Sequence, residues 1–206
     1  MGERKSYAQF CGLARSLDRV GDRWTLLIVR ELLLGDRTFR ELEHALTGVS
    51  PSILANRLAD LAEDGLVERN QAPRRSKNVR YGLSDAGRSL EPVILELIRW
   101  GSRWMTSGPG DDHVDPQWAP LALRALLQGR SPGRGRVHVD VDGVPLTVAG
   151  IAGRRQVSAG HHGRPDATVA AGLPMLLAVA AGLQPLPSAA VTGDAAVARE
   201  LLGSHG

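Results

Sequence analysis

The stretch that decides the fold runs from Ser50 to Ser84 and reads SPSILANRLADLAEDGLVERNQAPRRSKNVRYGLS. Ser50 and Pro51 are typical of a helix start, because a serine hydroxyl caps a free N–H group and proline lacks one. Gly65 can adopt the left-handed conformation that ends a helix. Alternating apolar residues then predict two strands, joined by a turn at residues 72–78 that holds three cations and no acid. The stretch therefore predicts a helix followed by a basic β-hairpin.

The predicted helix has an apolar face and a polar face. Leu54, Leu58 and Leu61 recur at intervals of three and four residues and form an apolar stripe. The opposite face carries short or planar polar groups that can bind base edges in DNA, where asparagine suits adenine and arginine suits guanine. The alternative is that this face is simply solvated. The base-facing candidates are Ser52, Asn56 and Arg57, beside the N-cap Ser50.

Positive charge near this helix predicts contacts with backbone phosphate. The turn of the hairpin supplies part of it, and the start of the preceding helix supplies more, since helix N-termini favour anions. An ordinary solvated run of charge is the alternative. The phosphate candidates are Arg37, Thr38, Arg40, Arg74, Arg75, Lys77 and Arg80.

The distribution of charge fits the same interpretation. The net charge of the 206 residues is +3, and residues 1–106 carry 17 Lys and Arg against 14 Asp and Glu, while residues 107–206 carry 8 against 8. The net positive charge therefore lies in the half with the helix and the hairpin, as nucleic-acid binding favours. The single cysteine, Cys11, excludes an intramolecular disulfide and fits a reducing compartment. Because neither a secretory signal nor a membrane-spanning run is visible, we expect a cytoplasmic protein.

Three helices are predicted before the decisive stretch, at residues 11–20, at 24–34 and from Thr38 to about residue 46. Thr38 and Glu41 have the spacing of a capping box. After the hairpin, one long helix is predicted from Ser84 to about Trp104, with an apolar sector too wide for a small domain to bury. Pairing with a second copy would cover it, and covering by the second half of the same chain is the alternative. The predicted dimerisation residues are Leu90, Ile94, Leu97, Ile98 and Trp104.

The second half of the chain predicts a separate domain of strands and helices. Residues 106–116 are rich in Gly, Pro and Asp, which is typical of a linker. A hairpin is predicted around Gly143, where two alternating runs meet. Helices are predicted at 118–128, 174–181 and 194–202, with weaker strands at 156–159 and 166–170.

With these residues in view, the first half resembles the HxlR family of bacterial winged-helix regulators. The matching pieces are CGLARSLD (11–18), GDRWTLLI (21–28), RTFREL (37–42), GVSP (48–51), Leu58–Val67 and YGLSDAG (81–87). The resemblance implies a homodimeric DNA-binding repressor or activator with a winged helix-turn-helix domain at residues 1–105. Three positions depart from the family pattern. Gly12 stands where a proline is common, Arg80 where an acid is common, and Gly82 in place of a bulkier residue.

The second half is similar to the SCP2 sterol-carrier fold, so the predicted fold class is α+β, with a winged helix-turn-helix domain followed by a smaller SCP2-like domain at residues 117–206. The matching pieces are DATV (166–169), PMLLAVAAG (174–182), AVTGD (190–194) and the pair Leu201-Leu202. The resemblance implies an apolar small molecule held beneath the helices. The predicted pocket residues are Leu173, Met175, Leu176 and Val179.

Together these patterns predict a sequence-specific regulator that binds a palindromic operator in double-stranded DNA as a homodimer, with half-sites about 34 Å apart. We expect neither an enzyme nor a cofactor, since the motifs of nucleophile elbows and phosphate loops are missing, and His161 and His162 make a poor zinc site. One alternative is a lipid carrier or enzyme that uses the winged helix as an interaction module. Another is a redox-sensing regulator acting through Cys11, which otherwise is a small buried packing residue.

Overall fold

The computed structural model describes residues 6–71 and 79–203, and it divides into two compact units. The first unit extends to Ile94 and the second begins at Leu95, so the division falls within a helix, Glu91–Gly101. The linker predicted at 106–116 lies C-terminal to this division. Across the described residues, no helix is both long enough and apolar enough to cross a membrane.

The first unit is a helix-turn-helix followed by a β-hairpin. Its helices are α1 (Gly12–Val20), α2 (Thr25–Leu33), α3 (Phe39–Ala45), α4 (Pro51–Glu63), α5 (Asp85–Arg88) and α6 (Glu91–Gly101), the last of which continues into the second unit. Its strands are β1 (Arg37–Thr38), β2 (Val67–Gln71) and β3 (Val79–Leu83). They form an antiparallel sheet in the order β1-β3-β2, in which β2 and β3 are the arms of the predicted hairpin.

The start and end of α4 follow from local chemistry, as the sequence predicts. The Ser50 hydroxyl accepts a hydrogen bond from the N–H of Ile53, with Pro51 at the first helical position. At the other end, Gly65 has a φ of 69°, and the N–H of Leu66 donates to the carbonyl of Leu61. The apolar stripe of three leucines is buried, with Leu54 fully inaccessible to solvent. The buried leucines therefore anchor α4 to the core, and Ser52 and Asn56 on its polar face are exposed to solvent.

The long helix predicted from Ser84 to Trp104 is wrong in one respect, because the chain breaks it after α5. Ser84 does cap the first turn, accepting from the N–H of Gly87. Ser89 and Leu90 then form a turn before α6 begins. Pro92 explains the break, since its ring lacks an N–H and collides with the carbonyl four residues earlier in a continuous helix. A short 3-10 turn, Ser102–Trp104, follows α6.

The second unit packs helices on a five-stranded sheet. Its helices are α7 (Ala119–Leu127), α8 (Leu173–Ala181) and α9 (Ala195–Leu202). Its strands are β4 (Gly135–Val141), β5 (Val144–Ile151), β6 (Arg154–Ala159), β7 (Ala167–Ala170) and β8 (Val191–Gly193). The sheet order is β6-β5-β4-β7-β8, and every neighbouring pair is antiparallel except β4 and β7, which run parallel.

Two tight turns connect the first three strands of this sheet. Asp142 and Gly143 join β4 to β5 with φ values of 51° and 87°, and Ala152 and Gly153 join β5 to β6 with 49° and 74°. Positive φ at both central residues is the geometry of a type I′ turn, whose twist matches that of the flanking strands. The hairpin predicted around Gly143 is confirmed.

The core of the second unit contains most of the residues predicted to line a ligand pocket. Leu173, Leu176 and Val179 are buried in an aliphatic cluster, and Met175 is partly buried against it. The same cluster includes residues from α7, α9 and the central strands: Leu123, Leu127, Val137, Val139, Leu146, Val148, Val169 and Leu201. These side chains of α8 pack against protein, so a ligand among them would have to replace these contacts.

Candidate nucleic-acid interface

The polar face of α4 presents small hydrogen-bonding groups to solvent. Ser52 and Asn56 are exposed, on the side opposite the buried leucines. The hydroxyl of Ser50 accepts from the N–H of Ile53 at 3.3 Å and lies 3.2 Å from the hydroxyl of Ser52. The helix therefore carries hydroxyl and amide groups at fixed positions, which is the chemistry that direct contact with base edges needs.

Arg57, the third base-facing candidate, is held by two carboxylates. Its Nη1 atom lies 2.6 Å from Oδ2 of Asp22 and 2.7 Å from Oδ2 of Asp60. Asp60 is three residues further along α4, a spacing that predicts such a pair. Asp22 comes from the turn before α2, and sequence analysis missed it because only tertiary packing brings it to α4.

The start of α3 is a complete capping box, as predicted. The N–H of Thr38 donates to Oε2 of Glu41 at 2.5 Å, and the N–H of Glu41 donates to Oγ1 of Thr38 at 3.2 Å. The hydrogen bond from the Thr38 N–H foremost, then one with the Thr38 side chain and the positive charges of Arg80 and Arg37, hold the pKa of Glu41 below its ordinary value. Because the carboxylate occupies this helix N-terminus, one of the N–H groups there is already satisfied.

Arg80 lies near the turn end of β3, opposite Asn70 of β2, and its side chain points toward α3. It donates to the backbone carbonyl of Asp36, and its Nη2 atom lies 3.3 Å from Oε2 of Glu41. The carboxylate of Asp36 accepts in turn from the side-chain amide of Asn70 on β2, at 3.0 Å. Asp36 thus connects both strands of the hairpin to the turn before β1, a role that sequence analysis did not assign.

The remaining phosphate candidates differ in their surroundings. Arg37 lies 3.7 Å from Oε2 of Glu31, a fully buried carboxylate whose Oε1 also accepts from Nη2 of Arg30 at 2.7 Å. Arg40, in the first turn of α3, is exposed. Arg74, Arg75 and Lys77 lie outside the described residues.

The exposed apolar residues of α6 and the turn after it form a stripe that overlaps only partly with the predicted dimerisation residues. Of that set, Leu97 is exposed and Trp104 is 66% exposed, whereas Ile94 is only 4% exposed. Leu90 and Ile98 are half-buried. The stripe, with spacings of four, three and four residues, consists of Val93, Leu97, Trp100 and Trp104. We call it the α6 stripe.

A second exposed apolar row lies on and just before α1. Phe10, Leu13 and Leu17 recur at helical spacing, and all three are exposed. Cys11, the N-cap residue of α1, is also exposed, so its interpretation as a buried packing residue is wrong. Its thiol completes no capping hydrogen bond, yet the nearby N–H groups of Ala14 and Leu13 lower its pKa.

His161 and His162, in the loop after β6, lie against His138 of β4. The rings of His138 and His161 stack with centroids 4.4 Å apart, and the N–H of His162 donates to Oγ1 of Thr147 at 2.9 Å. Among the residues that the structure describes, no group of three or more His, Cys, Asp and Glu side chains could hold a metal ion.

Comparison with known proteins identifies the first half of the chain. The profile of the family described as HxlR-like helix-turn-helix matches residues 19–109. The HTH-type transcriptional regulator YvaP of Bacillus subtilis (strain 168) is 35% identical over 91 residues, which are 44% of this chain and 84% of YvaP. The chain belongs to the HxlR-like helix-turn-helix family. The predicted winged helix-turn-helix fold of the first half is thereby confirmed.

Other transcriptional regulators match the same half of the chain. The HTH-type transcriptional regulator Mb3122 of Mycobacterium bovis (strain ATCC BAA-935 / AF2122/97) is 35% identical over 115 residues, 51% of this chain and 72% of that protein. A solved structure, the reduced form of the transcriptional regulator YodB from B. subtilis, is 30% identical with a TM-score of 0.42, and the match covers 48% of this chain and 99% of YodB. The SCP2-like fold of the second half remains a prediction.

Proposed function

We propose that this protein is a sequence-specific DNA-binding transcriptional regulator that acts as a homodimer. The observation that carries the proposal is the polar face of α4, where Ser52 and Asn56 are exposed on a helix-turn-helix anchored by buried leucines. In proteins of this architecture such a helix enters the major groove, and the following hairpin contacts the DNA backbone.

The experiment that tests the proposal is a selection from random duplex DNA at two salt concentrations. The expected result is a palindrome with half-sites about 34 Å apart, one helical turn. Recovery of DNA without any sequence preference at either salt concentration would contradict the proposal. Asn56→Ala should then relax the preference at one base position by about 1–3 kcal/mol. Gln117→Ala, which truncates an exposed amide in the second unit, is the matched control and should leave the preference unchanged.

The proposed phosphate contacts are Arg37, Thr38, Arg40, Arg74, Arg75, Lys77 and Arg80. Arg40 has the best support among the described residues, because its side chain is exposed in the first turn of α3. Arg37 and Arg80 would have to share their charge with Glu31 and Glu41. Replacing Arg40 by Gln should flatten the slope of log K against log salt by about 0.9, and an unchanged slope would contradict the contact.

The homodimer is supported by the two exposed apolar rows, the α6 stripe and the row of Phe10, Leu13 and Leu17. Exposed apolar surface of this kind marks an interaction site. A symmetric dimer would cover equivalent surfaces on both copies, and its two-fold axis would match a palindromic operator.

For the second unit, we propose that an apolar small molecule binds at α8 and alters DNA affinity. The support is the apolar character of α8, a nine-residue helix with no charged residue. A ligand changes the affinity only if it binds the DNA-competent and incompetent states differently. Loading the protein with a long-chain fatty acid should therefore shift its affinity for the selected operator. Binding to the operator that is unchanged at saturating fatty acid would contradict this regulation.

A second candidate function, thiol-based sensing, is favoured by the exposure of Cys11 and by its lowered pKa. A thiolate is the reactive form of cysteine, so a lowered pKa increases reactivity near neutral pH. The expected result is that the thiol oxidant diamide releases the wild-type protein from its operator and leaves Cys11→Ser bound. Release that persists in Cys11→Ser would exclude the sensor.

A further inference from the structure

The charges around Arg57 are arranged unfavourably for a helix that approaches DNA. The side chain of Arg57 is 28% exposed, whereas Asp22 is 63% exposed and Asp60 is 49% exposed. One cation and two carboxylates give this cluster a formal charge of −1. The cluster as a whole therefore repels phosphate, although it contains the arginine proposed to contact a base.

The two carboxylates compete with DNA for the same guanidinium. Both ion pairs use the Nη1 atom of Arg57, at 2.6 Å and 2.7 Å. If Arg57 turned toward a base, Asp22 and Asp60 would lose their counter-charge while facing a polyanion. This cost applies to every DNA sequence, but guanine alone offers the two major-groove acceptors that a guanidinium binds in bidentate fashion.

From this geometry we infer that Asp22 is a specificity-determining residue. Its ion pair keeps Arg57 from contacting DNA unless a bidentate contact with guanine replaces that ion pair. The inference rests on the proposed function of α4. An element that weakens binding to the wrong sequence raises specificity as effectively as one that strengthens binding to the right sequence.

Asp22 has this role rather than Asp60 because of where each carboxylate is attached. Asp60 is on α4 itself, so it moves with Arg57 when the helix shifts. Asp22 belongs to the turn between α1 and α2, so its ion pair fixes the guanidinium relative to the rest of the unit. Since Asp22 is largely exposed, Asp22→Asn removes its charge with little effect on packing.

The test measures affinity by fluorescence anisotropy for two duplexes, the operator obtained by selection and a scrambled duplex of equal composition. Asp22→Asn should bind the scrambled duplex more tightly, and the operator-to-scrambled affinity ratio should fall about five- to tenfold, the lower part of what one base contact supplies. The salt dependence on the scrambled duplex should steepen by about 0.9 in slope, because Arg57, then paired only with Asp60 of its own helix, can contact one phosphate.

Two control variants separate this effect from a general change of charge. Asp85→Asn removes the same charge from another exposed position, at the first residue of α5, and should leave the ratio unchanged. In an Arg57→Ala background, Asp22→Asn should change the ratio no more than Asp85→Asn does. Circular dichroism and the melting temperature verify that each variant is folded.

The outcomes are distinguishable. A ratio that stays constant in Asp22→Asn, or falls equally in the Arg57→Ala background, overturns the inference and leaves the proposed function intact. A wild-type protein that binds the selected and scrambled duplexes equally overturns the proposed function and the inference with it.

Discussion

The carboxylate of Asp36 fills the space that a side chain at position 82 would need. A Cβ atom on Gly82 would lie 2.5 Å from Oδ1 of Asp36 and 3.1 Å from Nδ2 of Asn70. Gly82 departs from the family pattern of a bulkier residue, and an added Cβ atom would have to displace the carboxylate of Asp36, to which Asn70 donates a hydrogen bond. The departure at Arg80 belongs to the same cluster, because Arg80 donates to the backbone carbonyl of Asp36.

Gly82→Ala should therefore destabilise the protein by about 1–3 kcal/mol, the usual cost of forcing atoms into a filled space. The free energy of unfolding is measured by urea denaturation. Gly12→Ala is the control, since a Cβ atom there meets nothing within 4 Å and alanine favours the helix. Equal stability of the two variants would show that the hairpin accommodates a Cβ atom at position 82 and that the position of the Asp36 carboxylate does not require glycine there.

Glu31→Ala should lower the free energy of unfolding by about 3–5 kcal/mol, as removal of one partner from a buried ion pair does. Glu31 is fully buried, and its loss leaves Arg30 and Arg37 without this counter-charge. The matched control is Glu96→Ala, which removes an exposed partner of Arg99 and should cost no more than about 1 kcal/mol. Similar losses in both variants would contradict the special role of Glu31.

The contribution of Glu41 to stability should disappear in acid. Its folded-state pKa is below the ordinary value of 4.5, so the folded protein favours the ionised carboxylate. The contribution is present above pH 4.5 and is lost as the pH falls through the lower, folded-state pKa. The difference in free energy of unfolding between wild type and Glu41→Gln should shrink over that range in urea titrations. A difference that does not vary with pH would contradict the shift.

Leu97→Glu should weaken self-association, because it places a charge in the middle of the α6 stripe. Sedimentation velocity should show monomers at protein concentrations where the wild type is a dimer. Arg88→Glu adds the same acid at an exposed position on α5 and should remain dimeric. If Leu97→Glu sediments like the wild type, the α6 stripe is not the interface.

Alkylation of Cys11 should have a lower pH midpoint in the folded protein than in urea, because the N–H groups of Ala14 and Leu13 favour the thiolate and lower its pKa. The rate of reaction with iodoacetamide, followed by mass spectrometry, reports this single thiol directly. In urea the midpoint should return to about the ordinary value for an unfolded chain. A folded-state midpoint at or above the midpoint in urea would contradict the lowered pKa.

The sequence predicted those features that local chemistry decides. The N-cap at Ser50, the capping box of Thr38 and Glu41, and the turn at Gly143 each depend on residues within a few positions of one another. The helix break after α5 was missed even though Pro92 was visible in the sequence. The apolar spacing continues through the break, whereas Pro92 prevents an unbroken helix.

Two ion pairs of the candidate interface could not be predicted from the sequence, because their partners are far apart along the chain. Asp22 meets Arg57, and Arg80 meets Glu41, only after separate elements have packed together. The parallel pairing of β4 with β7 is likewise a property of topology, since residues between them belong to other strands. The sequence therefore shows which charged side chains a predicted surface carries. Whether such a side chain forms an ion pair depends on how the elements pack.

The sheet order of the second unit has a consequence for how that unit folds. β4, β5 and β6 are sequential neighbours joined by two-residue turns, so they can form from contacts that close only short loops. The parallel partner β7 must instead return to β4 after the whole meander, and closing a longer loop costs more chain entropy. We therefore expect β4, β5 and β6 to pair early in the folding of this unit, and β7 and β8 to join the sheet late. Backbone amides of β7 should then gain protection from hydrogen exchange after those of β5.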